Sequence, residues 1–323
     1  MITRCIYLHG DDVYFNLAAE EYFLKNSDND IFMIWQSKNA VVVGKHQNSL
    51  AEINQSFIKQ NNINIARRLS GGGAVFHDRG NLNYTFICKK GGELNLKQFT
   101  DQMISVLSKL GLSPTQDDRR AIFLDEKKIS GCADHIYKNK ILHHGTLLFD
   151  SNLEYLNNAL NADLSRFNDK SVQSVRNQVT NIKKYIPEFS IQEFAEFVFH
   201  ENINRFSSAE ISGIEEKEVN AINKLKEEKY TQWDWIYGYS PKYLYSNTIT
   251  LPDKVISFSL NVKKGRISSS EWEGLSPEAC IIISEKLHGQ KHDYDELMPF
   301  VYSISDMLVN GGLRAELLLE KLI

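Results

Sequence analysis

The spacing of hydrophobic residues predicts a chain in which helices and strands interleave. A three- and four-residue repeat predicts a first helix whose apolar face is made of Phe15, Ala18, Ala19, Tyr22 and Phe23. Short β-branched or aromatic runs at residues 31–35 and 40–43 predict two adjacent strands, since a polar stretch separates them. A strand at residues 83–88 and a helix at residues 98–110 follow, and Gly111 is a typical helix stop.

The remainder of the chain continues this mixture. Residues 141–149 resemble a strand, and Ser190 and Glu193 form a capping-box pattern that opens a helix. Apolar residues alternate over 256–262, a turn follows at 263–266, and Ser276 precedes a proline as helix starts often do. Because there is no regular βαβ rhythm and no glycine-rich first turn, we expect an α+β fold with a mixed β-sheet flanked by helices.

The composition changes at an aromatic segment around residues 233–241. We therefore predict a catalytic domain at residues 1–245 and a small C-terminal α+β accessory domain at residues 246–323. A linker between them is predicted at about residues 238–247.

Composition and charge narrow the class of protein. Of the 323 residues, 42% are hydrophobic and 24% charged, which is typical of a globular protein. The formal net charge of -4 argues against a nucleic-acid partner. The four cysteines are too far apart for a zinc or redox motif. Neither a signal-peptide core nor a run of 18 apolar residues is present, so we expect a cytoplasmic protein without membrane spans.

The most informative segment is RRLSGGGAVFHD at residues 67–78. Three glycines let the backbone turn freely, and successive N–H groups in such a loop can surround an anion. Arg67 and Arg68 add planar donors that suit carboxylate or phosphate. The segment lacks the Gly-Lys-Ser/Thr of a Walker loop, the third glycine of a dinucleotide loop and the Gly-x-Ser-x-Gly of a nucleophile elbow. A glycine-rich hairpin loop without a ligand remains the alternative.

Two further segments carry candidate chemistry. Lys128 precedes Ser130 and Gly131, and a lysine at a strand edge can act as a fixed positive charge toward a phosphoryl or acyl oxygen. A solvated surface lysine is the alternative. His143 and His144 are neighbours on a predicted strand, so they point to opposite faces and cannot bind one metal together.

Taken together, these segments resemble the lipoate–protein ligase family across roughly residues 10–240. The motifs that carry the resemblance are residues 16–21 (NLAAEE), 43–48 (VGKHQN), 67–78, 80–81 (GN), 128–131 (KISG), 143–148 (HHGTLL) and 174–181 (SVRNQVTN). The RRLSGGGAVFHD block is the most specific of them. The C-terminal part is similar to the accessory domain of the family in size and position.

The resemblance implies an enzyme that uses ATP to attach lipoate to one lysine of a partner protein through a lipoyl-AMP intermediate. It also implies a fold like that of biotin ligases and class II tRNA synthetases. A divalent ion, expected to be Mg²⁺, would accompany ATP. The expected partners are apo lipoyl domains of 2-oxoacid dehydrogenase E2 subunits, the glycine-cleavage H protein, or both. A monomer is expected.

The resemblance also assigns roles to residues. The nucleotide would be held by Arg68, Gly73, Ala74, Val75 and Phe76. Lys128 would bridge the lipoate carboxylate and the α-phosphate and would stabilise charge in both steps. The residues expected to contact the substrate are Arg67, Ser70, Gly71, Gly72, His77, His144 and Gly145. Val75, Phe76 and Leu147 would line an apolar slot for the lipoyl tail.

One stretch departs from the family pattern. Where the family usually has Ser-Gly-Arg-Asn-Asp, this chain has Asp117-Asp118-Arg119-Arg120-Ala121. The loss of an amide and a carboxylate is expected to weaken Mg²⁺ binding, while the additional arginine offers a phosphate donor. Cys132 also differs from the usual serine or asparagine and is not expected to be a nucleophile.

These observations leave three hypotheses. The chain is a complete ATP-dependent ligase, or a transferase that uses preformed lipoyl-AMP or a lipoylated carrier protein, or a module that binds such ligands without catalysis. Biotin ligation is a neighbouring activity, but the RRLSGGG block favours lipoate. Octanoate is expected to compete with lipoate, since an apolar pocket discriminates weakly between acyl chains.

Overall fold

The computed structural model describes residues 2–90, 95–175, 177–304 and 313–323. The chain forms two compact units. The first contains Met1–Lys45, Ser56–Asn161 and Gln173–Gln232, and the second contains His46–Gln55, Ala162–Val172 and Trp233–Ile323. No helix in the described ranges has both the length and the apolar character needed to cross a membrane.

The described residues form sixteen strands and ten α-helices. The strands are β1 Thr3–Leu8, β2 Asp30–Trp35, β3 Ala40–Val43, β4 Asn64–Arg67, β5 Val75–His77, β6 Asn81–Lys89, β7 Thr115–Gln116, β8 Ile122–Leu124, β9 Lys127–Ser130, β10 Cys132–Tyr137, β11 Lys140–Leu148, β12 Phe167–Asp169, β13 Ala209–Ile211, β14 Tyr243–Thr250, β15 Val255–Lys263 and β16 Arg266–Glu273. The helices are α1 Val13–Asn26, α2 Ser49–Glu52, α3 Gln55–Gln60, α4 Lys97–Ser108, α5 Leu153–Ala159, α6 Ile191–Ile203, α7 Glu216–Leu225, α8 Pro277–Leu287, α9 Tyr294–Ser303 and α10 Ala315–Leu322.

The first unit is built on a six-stranded mixed sheet with the order β10-β11-β6-β2-β1-β13. β1 runs parallel to β2 and β13, whereas β6, β10 and β11 pair antiparallel. Two three-stranded sheets, β4-β3-β5 and β7-β8-β9, complete the unit. The predicted α+β class, with a mixed sheet flanked by helices, is confirmed.

The main hydrophobic core of this unit contains side chains of the large sheet and of α4 and α6. Phe32 and Phe86 of the sheet lie in it with Phe99 and Met103 of α4 and Phe194 of α6. Each of these side chains is at most 6% exposed. At about 25 cal/mol per Å² of apolar surface removed from water, this burial is the main term that stabilises the sheet.

The local predictions for the first unit are largely confirmed. α1, α4, β6 and β11 lie where the hydrophobic pattern places them, and the Ser190–Glu193 capping box opens α6. Gly111 follows α4 with a left-handed φ of 78°. The strands predicted at residues 31–35 and 40–43 are confirmed as β2 and β3. They follow one another along the chain but are not neighbours in a sheet, because β2 pairs with β1 and β6 while β3 pairs with β4 and β5. All four residues of β3 are buried, as in a strand covered on both faces.

The second unit contains an antiparallel sheet with the order β12-β14-β15-β16, together with α8, α9 and α10. The alternation predicted in β15 is confirmed, since Ile256, Phe258, Leu260 and Val262 are buried. Gly265 makes the predicted turn with φ 69°, and Ser276 caps α8. Residues 243–247 belong to β14 rather than to a linker, because they pair with β15. The domain boundary at 245/246 therefore falls within β14, and that division stays a prediction.

A tight turn between β5 and β6 depends on a glycine. The Gly80 carbonyl accepts hydrogen bonds from Phe149 N (3.1 Å) and Asp150 N (2.8 Å). The Asp78 carboxylate accepts from Gly80 N (2.9 Å) and Asn152 N (2.6 Å). A Cβ atom at position 80 would lie 2.0 Å from the Asp150 carbonyl oxygen, a backbone atom that cannot turn aside.

We expect Gly80→Ala to lower the free energy of unfolding by about 1–3 kcal/mol, as overpacking does. Gly10→Ala is the matched control, because a Cβ there has no neighbour within 4 Å. Urea unfolding followed by circular dichroism measures both. Equal stability of the two variants would contradict this account of the turn.

Candidate active site

The glycine loop between β4 and β5 is organised by one buried guanidinium. Arg68 Nε donates to Ser70 Oγ at 3.0 Å, and Nη1 donates to the Val42 carbonyl at 3.0 Å. Nη2 donates to the carbonyl oxygens of Gly71 (2.6 Å) and Gly73 (2.8 Å). Four acceptors thus converge on one side chain, which fixes the path of the loop.

Burial has an electrostatic consequence for this arginine. Desolvation lowers the pKa of Arg68 to about 10, against the attraction of Glu20. The guanidinium is still charged at neutral pH. Arg67 is also buried, and its Nη1 donates to the carbonyls of Gly44 (2.9 Å) and Lys45 (3.0 Å). Both arginines therefore bind the protein backbone around the loop, and their ligand contacts stay predictions.

Close backbone contacts explain why glycine is needed here. Gly72 has a φ of 84°, and a Cβ atom on Gly44 would lie 2.1 Å from the Gly72 carbonyl oxygen. Only a residue without a side chain fits at either position.

A chain of buried hydrogen bonds runs from the loop to helix α1. Ser70 Oγ lies 2.6 Å from His144 Nε2, and His144 Nδ1 lies 3.0 Å from both carboxylate oxygens of Glu20. Thr85 Oγ1 donates to Glu20 Oε1 at 2.6 Å and accepts from Trp35 Nε1 at 3.2 Å. With the proton on Nδ1, His144 donates to Glu20 and accepts from Ser70, so every link has a donor and an acceptor.

His77 is the second histidine near the loop. It is 3% exposed, and neither ring nitrogen has a hydrogen-bond partner within the described residues. Burial, with smaller contributions from Arg68 and His144, lowers the pKa of His77 to about 3. The ring packs edge-on to Trp35 with centroids 5.5 Å apart. His77 therefore places an uncharged polar ring in this region.

Residues 174 and 177–180 contact the loop and the candidate lysine, respectively. Ser174 Oγ accepts from Ala74 N at 2.8 Å, and the Ser174 side chain lies against Gly73. Further along, the backbone of Lys128 donates to Gln178 O (2.8 Å) and accepts from Thr180 N (3.1 Å). This segment therefore joins two of the predicted motifs through direct contacts.

Lys128 lies in β9 with a largely buried side chain. Its ammonium has no hydrogen bond or ion pair with any residue in the described ranges, and it packs beside Gly131. Burial lowers the pKa of Lys128, and the nearby Asp117 carboxylate partly opposes this shift. A partly desolvated cation that makes no hydrogen bond or ion pair with the protein is suited to bind an anionic ligand.

Other predicted site residues are placed as follows. Val75 is half-buried and Phe76 buried in β5, where they pair with β3. Gly145 lies under Tyr84, and a Cβ there would be 2.4 Å from the phenol oxygen. The Leu147 side chain is buried in the hydrophobic core with α4 and α6, and its place in an acyl slot stays a prediction.

The structure brings together Arg68, Ser70, Gly71, Gly73 and His144 by direct contact. No hydrogen bond or ion pair joins the Lys128 side chain to the glycine loop in the described part of the chain. Sequence reasoning gave no role to Glu20 or Ser174, although both lie in motifs that it identified. One feature could have pointed to Glu20: it is a carboxylate on the buried face of α1.

The described residues do not fit a resident metal ion. They contain no group of three His, Cys, Asp or Glu side chains that could hold one. In β10, Asp134 already binds Arg120 (2.5 Å) and His143 (2.7 Å) through its two oxygens.

Comparison with known proteins identifies the family. Residues 12–202 match the Lipoyl protein ligase A/B catalytic domain. A lipoate–protein ligase of Bacillus subtilis (strain 168) is 36% identical over 271 residues, which cover 82% of each chain.

Solved structures agree on the fold. The crystal structure of a lipoate–protein ligase A bound with ATP has a TM-score of 0.62 and 25% identity, and the match covers 74% of this chain and 100% of that one. The bipartite lipoate–protein ligase of Thermoplasma acidophilum, studied with its E2 lipoyl domain, has a TM-score of 0.62 and 23% identity over 74% of this chain and 97% of that one. With its glycine loop, buried arginines and matched domain, the chain belongs to the lipoyl protein ligase A/B family.

Proposed function

We propose that this chain attaches lipoate to a specific lysine of an apo lipoyl domain in an ATP-dependent reaction. The observation that carries this proposal is that one stretch of chain contacts both the glycine loop, which Arg68 holds, and the backbone of Lys128. Ser174 makes the first contact, and Gln178 and Thr180 make the second. Membership of the family, and the ATP bound to a relative of similar fold, support it.

The first half-reaction activates a carboxylate. A carboxylate oxygen of lipoate attacks the α-phosphorus of ATP. The bond between the α-phosphorus and the oxygen that bridges to the β-phosphate breaks, and lipoyl-AMP and pyrophosphate form. The nucleotide is assigned to Arg68, Gly73, Ala74, Val75 and Phe76. The Lys128 ammonium neutralises the carboxylate and the α-phosphate as they approach, which a desolvated charge does more strongly than a hydrated one.

The second half-reaction transfers the acyl group. The neutral amine of the acceptor lysine attacks the carbonyl carbon of lipoyl-AMP, and the bond to AMP breaks. The amide retains one hydrogen of the amine, and a proton is released. Lys128 stabilises the oxyanion and the departing phosphate in this step.

The substrate residues are proposed to lie along the buried hydrogen-bond chain. Arg67, Ser70, Gly71, Gly72 and Gly145 shape the backbone around the acyl group, and His77 and His144 present rings to it. An uncharged His77 suits an apolar tail, since it carries no charge that the tail would desolvate. Lipoate and octanoate are both expected to be accepted.

ATP is the proposed cosubstrate, and Mg²⁺ is proposed to enter with its phosphates. Because the described residues offer no metal cage, no step is assigned to the ion. Apo lipoyl domains of 2-oxoacid dehydrogenase E2 subunits and the glycine-cleavage H protein are the proposed partners, and the Thermoplasma ligase studied with an E2 lipoyl domain supports the former. A cytoplasmic monomer is proposed.

One observation favours a second candidate function. Asp134 is occupied by Arg120 and His143, and Asp117 Oδ1 accepts from the backbone of Arg119 and Ala121. Both oxygens of Asp134 are thus engaged by side chains, which leaves this carboxylate unavailable to a metal-bound nucleotide. A lipoyltransferase that uses preformed lipoyl-AMP, or a lipoylated carrier protein, would need no such group.

Mass spectrometry of an apo lipoyl domain distinguishes the two functions. One tube contains the protein, lipoate, ATP and Mg²⁺, and a second contains lipoyl-AMP in place of lipoate and ATP. We expect lipoylation of one lysine in both tubes. Modification in the second tube alone would show a transferase, and modification in neither would refute both functions.

Lys128→Ala is expected to lower the rate of lipoyl-AMP formation by about 10²–10³-fold, as the loss of one electrostatic stabiliser does. Lys127→Ala is the matched control, because it removes the same charge one position earlier in β9. Single-turnover formation of lipoyl-AMP from lipoate and ATP measures both rates. Equal rates in the two variants would exclude the proposed role of Lys128.

Arg68→Lys is expected to weaken ATP binding by about tenfold or more. Lysine cannot reproduce the forked set of guanidinium donors that holds the loop. Each hydrogen bond to a charged group contributes about 1.5–3 kcal/mol. Arg79→Lys, at an exposed arginine paired with Asp11, is the control. Calorimetric titration with ATP gives both dissociation constants. Unchanged affinity in Arg68→Lys would mean that the fork does not shape the nucleotide site.

A further inference from the structure

The buried hydrogen-bond chain between the glycine loop and α1 has a donor-only group at each end. At one end, Arg68 Nε donates to Ser70 Oγ at 3.0 Å. At the other end, Trp35 Nε1 donates to Thr85 Oγ1 at 3.2 Å. Neither a guanidinium nor an indole N–H can accept a hydrogen bond. Each hydroxyl oxygen therefore receives a hydrogen from its end of the chain, and its own hydrogen is left to donate inward.

Both hydroxyl hydrogens have an acceptor within reach. Thr85 Oγ1 lies 2.6 Å from Glu20 Oε1, and Ser70 Oγ lies 2.6 Å from His144 Nε2. Ser70 and Thr85 are both fully buried, and a buried hydroxyl hydrogen without an acceptor is unfavourable. The Ser70 hydroxyl thus donates to His144 Nε2, and that ring nitrogen carries no hydrogen.

The state of His144 follows from these two directions. A neutral ring with a bare Nε2 carries its hydrogen on Nδ1, which lies 3.0 Å from both carboxylate oxygens of Glu20. Glu20 therefore receives one hydrogen from His144 and another from Thr85. A carboxylate offers acceptors alone, so it suits this position, and every hydrogen of the chain points toward it.

The secondary structure fixes the place where the two halves of the chain meet. His144 of β11 and Thr85 of β6 stand directly opposite each other in an antiparallel pair. Side chains of opposite residues leave the same face of a sheet, and Glu20 of α1 contacts both of them there. The acceptor is thus held by a helix and two paired strands.

Ser70 connects this arrangement to the glycine loop. The acceptors that Arg68 contacts in the described ranges are Ser70 Oγ and the carbonyl oxygens of Val42, Gly71 and Gly73. Of these acceptors, Ser70 Oγ is the one that belongs to a side chain, and a neighbouring side chain can set its orientation. The direction of the Ser70 hydroxyl therefore affects how firmly the guanidinium holds the loop.

We propose that Glu20 is a positioning residue for the nucleotide part of the site. It fixes the tautomer of His144, and through His144 and Ser70 it holds Arg68 and the glycine loop. The inference deepens the proposed function, because it rests on the assignment of the nucleotide to this loop.

Glu20→Gln reverses one link with little change in shape. With the amide oxygen in place of Oε1, which accepts from Thr85, the amide nitrogen replaces Oε2 and donates toward His144 Nδ1. This favours the tautomer that carries its hydrogen on Nε2. Ser70 Oγ then receives hydrogens from His144 and Arg68, and the Ser70 hydroxyl hydrogen loses its acceptor.

The matched control is Glu21→Gln, at the next position of α1. Glu21 is also buried, at 2% exposed. Its carboxylate accepts from Lys25, Lys229 and Tyr230 instead of from His144. The same substitution therefore removes a buried carboxylate of the same helix without entering the hydrogen-bond chain.

The first measurement is the tautomer of His144 in the full-length protein. Two-bond ¹H–¹⁵N correlation spectra of protein labelled with ¹⁵N at histidine distinguish a hydrogen on Nδ1 from one on Nε2, and His144→Asn identifies the signals of this ring. We expect the hydrogen on Nδ1 in the wild-type chain and in Glu21→Gln. In Glu20→Gln we expect a shift of the population toward Nε2.

The second measurement reports on the loop without any ligand. Arg68 N donates to the Val43 carbonyl at 3.1 Å, and Ala74 N donates to Ser174 Oγ at 2.8 Å. Hydrogen exchange of the peptide that spans residues 67–78, followed by mass spectrometry, should be about tenfold faster in Glu20→Gln, the factor expected for the loss of one buried hydrogen bond. The rate should be unchanged in Glu21→Gln.

The third measurement separates binding from chemistry. In ATP–pyrophosphate exchange with lipoate, the apparent KM for ATP should rise about tenfold in Glu20→Gln while kcat stays within about twofold, as the loss of binding alone predicts. Glu20→Asp is the rescue variant, because it keeps the acceptor-only carboxylate. It should retain the hydrogen on Nδ1 and have a KM between those of the wild-type chain and Glu20→Gln.

The outcomes separate the two proposals. A hydrogen on Nε2 in the wild-type chain, an unchanged tautomer in Glu20→Gln, or equal loop exchange in Glu20→Gln and Glu21→Gln overturns the positioning role. If Glu20→Gln does not fold, a hydrogen on Nε2 in Glu20→Asp overturns it, and one on Nδ1 supports it. A wild-type chain that neither exchanges nor lipoylates, while the tautomer and the loop respond as expected, refutes the proposed function and leaves the link from Glu20 to the loop intact.

Discussion

The candidate site depends on the burial of one positive charge. A guanidinium removed from water is unfavourable unless its donors are satisfied, and Arg68 meets this condition with the backbone carbonyls of its own loop and of β3. The loop can supply them because glycine lets the chain turn its carbonyls toward one point. Glu20 adds a compensating negative charge through His144 and Ser70. The shape of the loop and the orientation of His144 follow from this arrangement, and the charge of Arg68 adds to the burial that keeps His77 uncharged.

Much of the fold could be predicted from local patterns. α1 and α4 have apolar faces with a helical repeat, α6 begins with a capping box, and β15 alternates strictly, so short stretches of sequence were sufficient for each. The pairing of β2 and β3 could not be predicted in this way. Both are short apolar runs, and periodicity does not reveal that β2 joins β1 and β6 while β3 joins β4 and β5. Strand partners distant in the chain are chosen by tertiary packing rather than by propensity.

The candidate site could likewise be predicted from the sequence only in part. The glycine loop and Lys128 were recognisable because unusual residue types stand together. The sequence could not tell that Arg68 would turn inward to its own loop, because either environment suits a guanidinium. Strand geometry explains the placement of Leu147. Successive residues of β11 point to opposite faces, so Leu147 enters the core while His144 faces α1.

The contacts that complete the site join positions far apart in the chain. His144 meets Glu20 across 124 positions, and Ala74 meets Ser174 across 100. During synthesis at roughly 5–20 residues per second, the glycine loop is therefore made several seconds before its partners exist. A nascent chain that ends before residue 174 cannot hold the loop through Ser174. The hydrogen bonds that hold the glycine loop are thus completed only after β11 and the segment that follows it have been made.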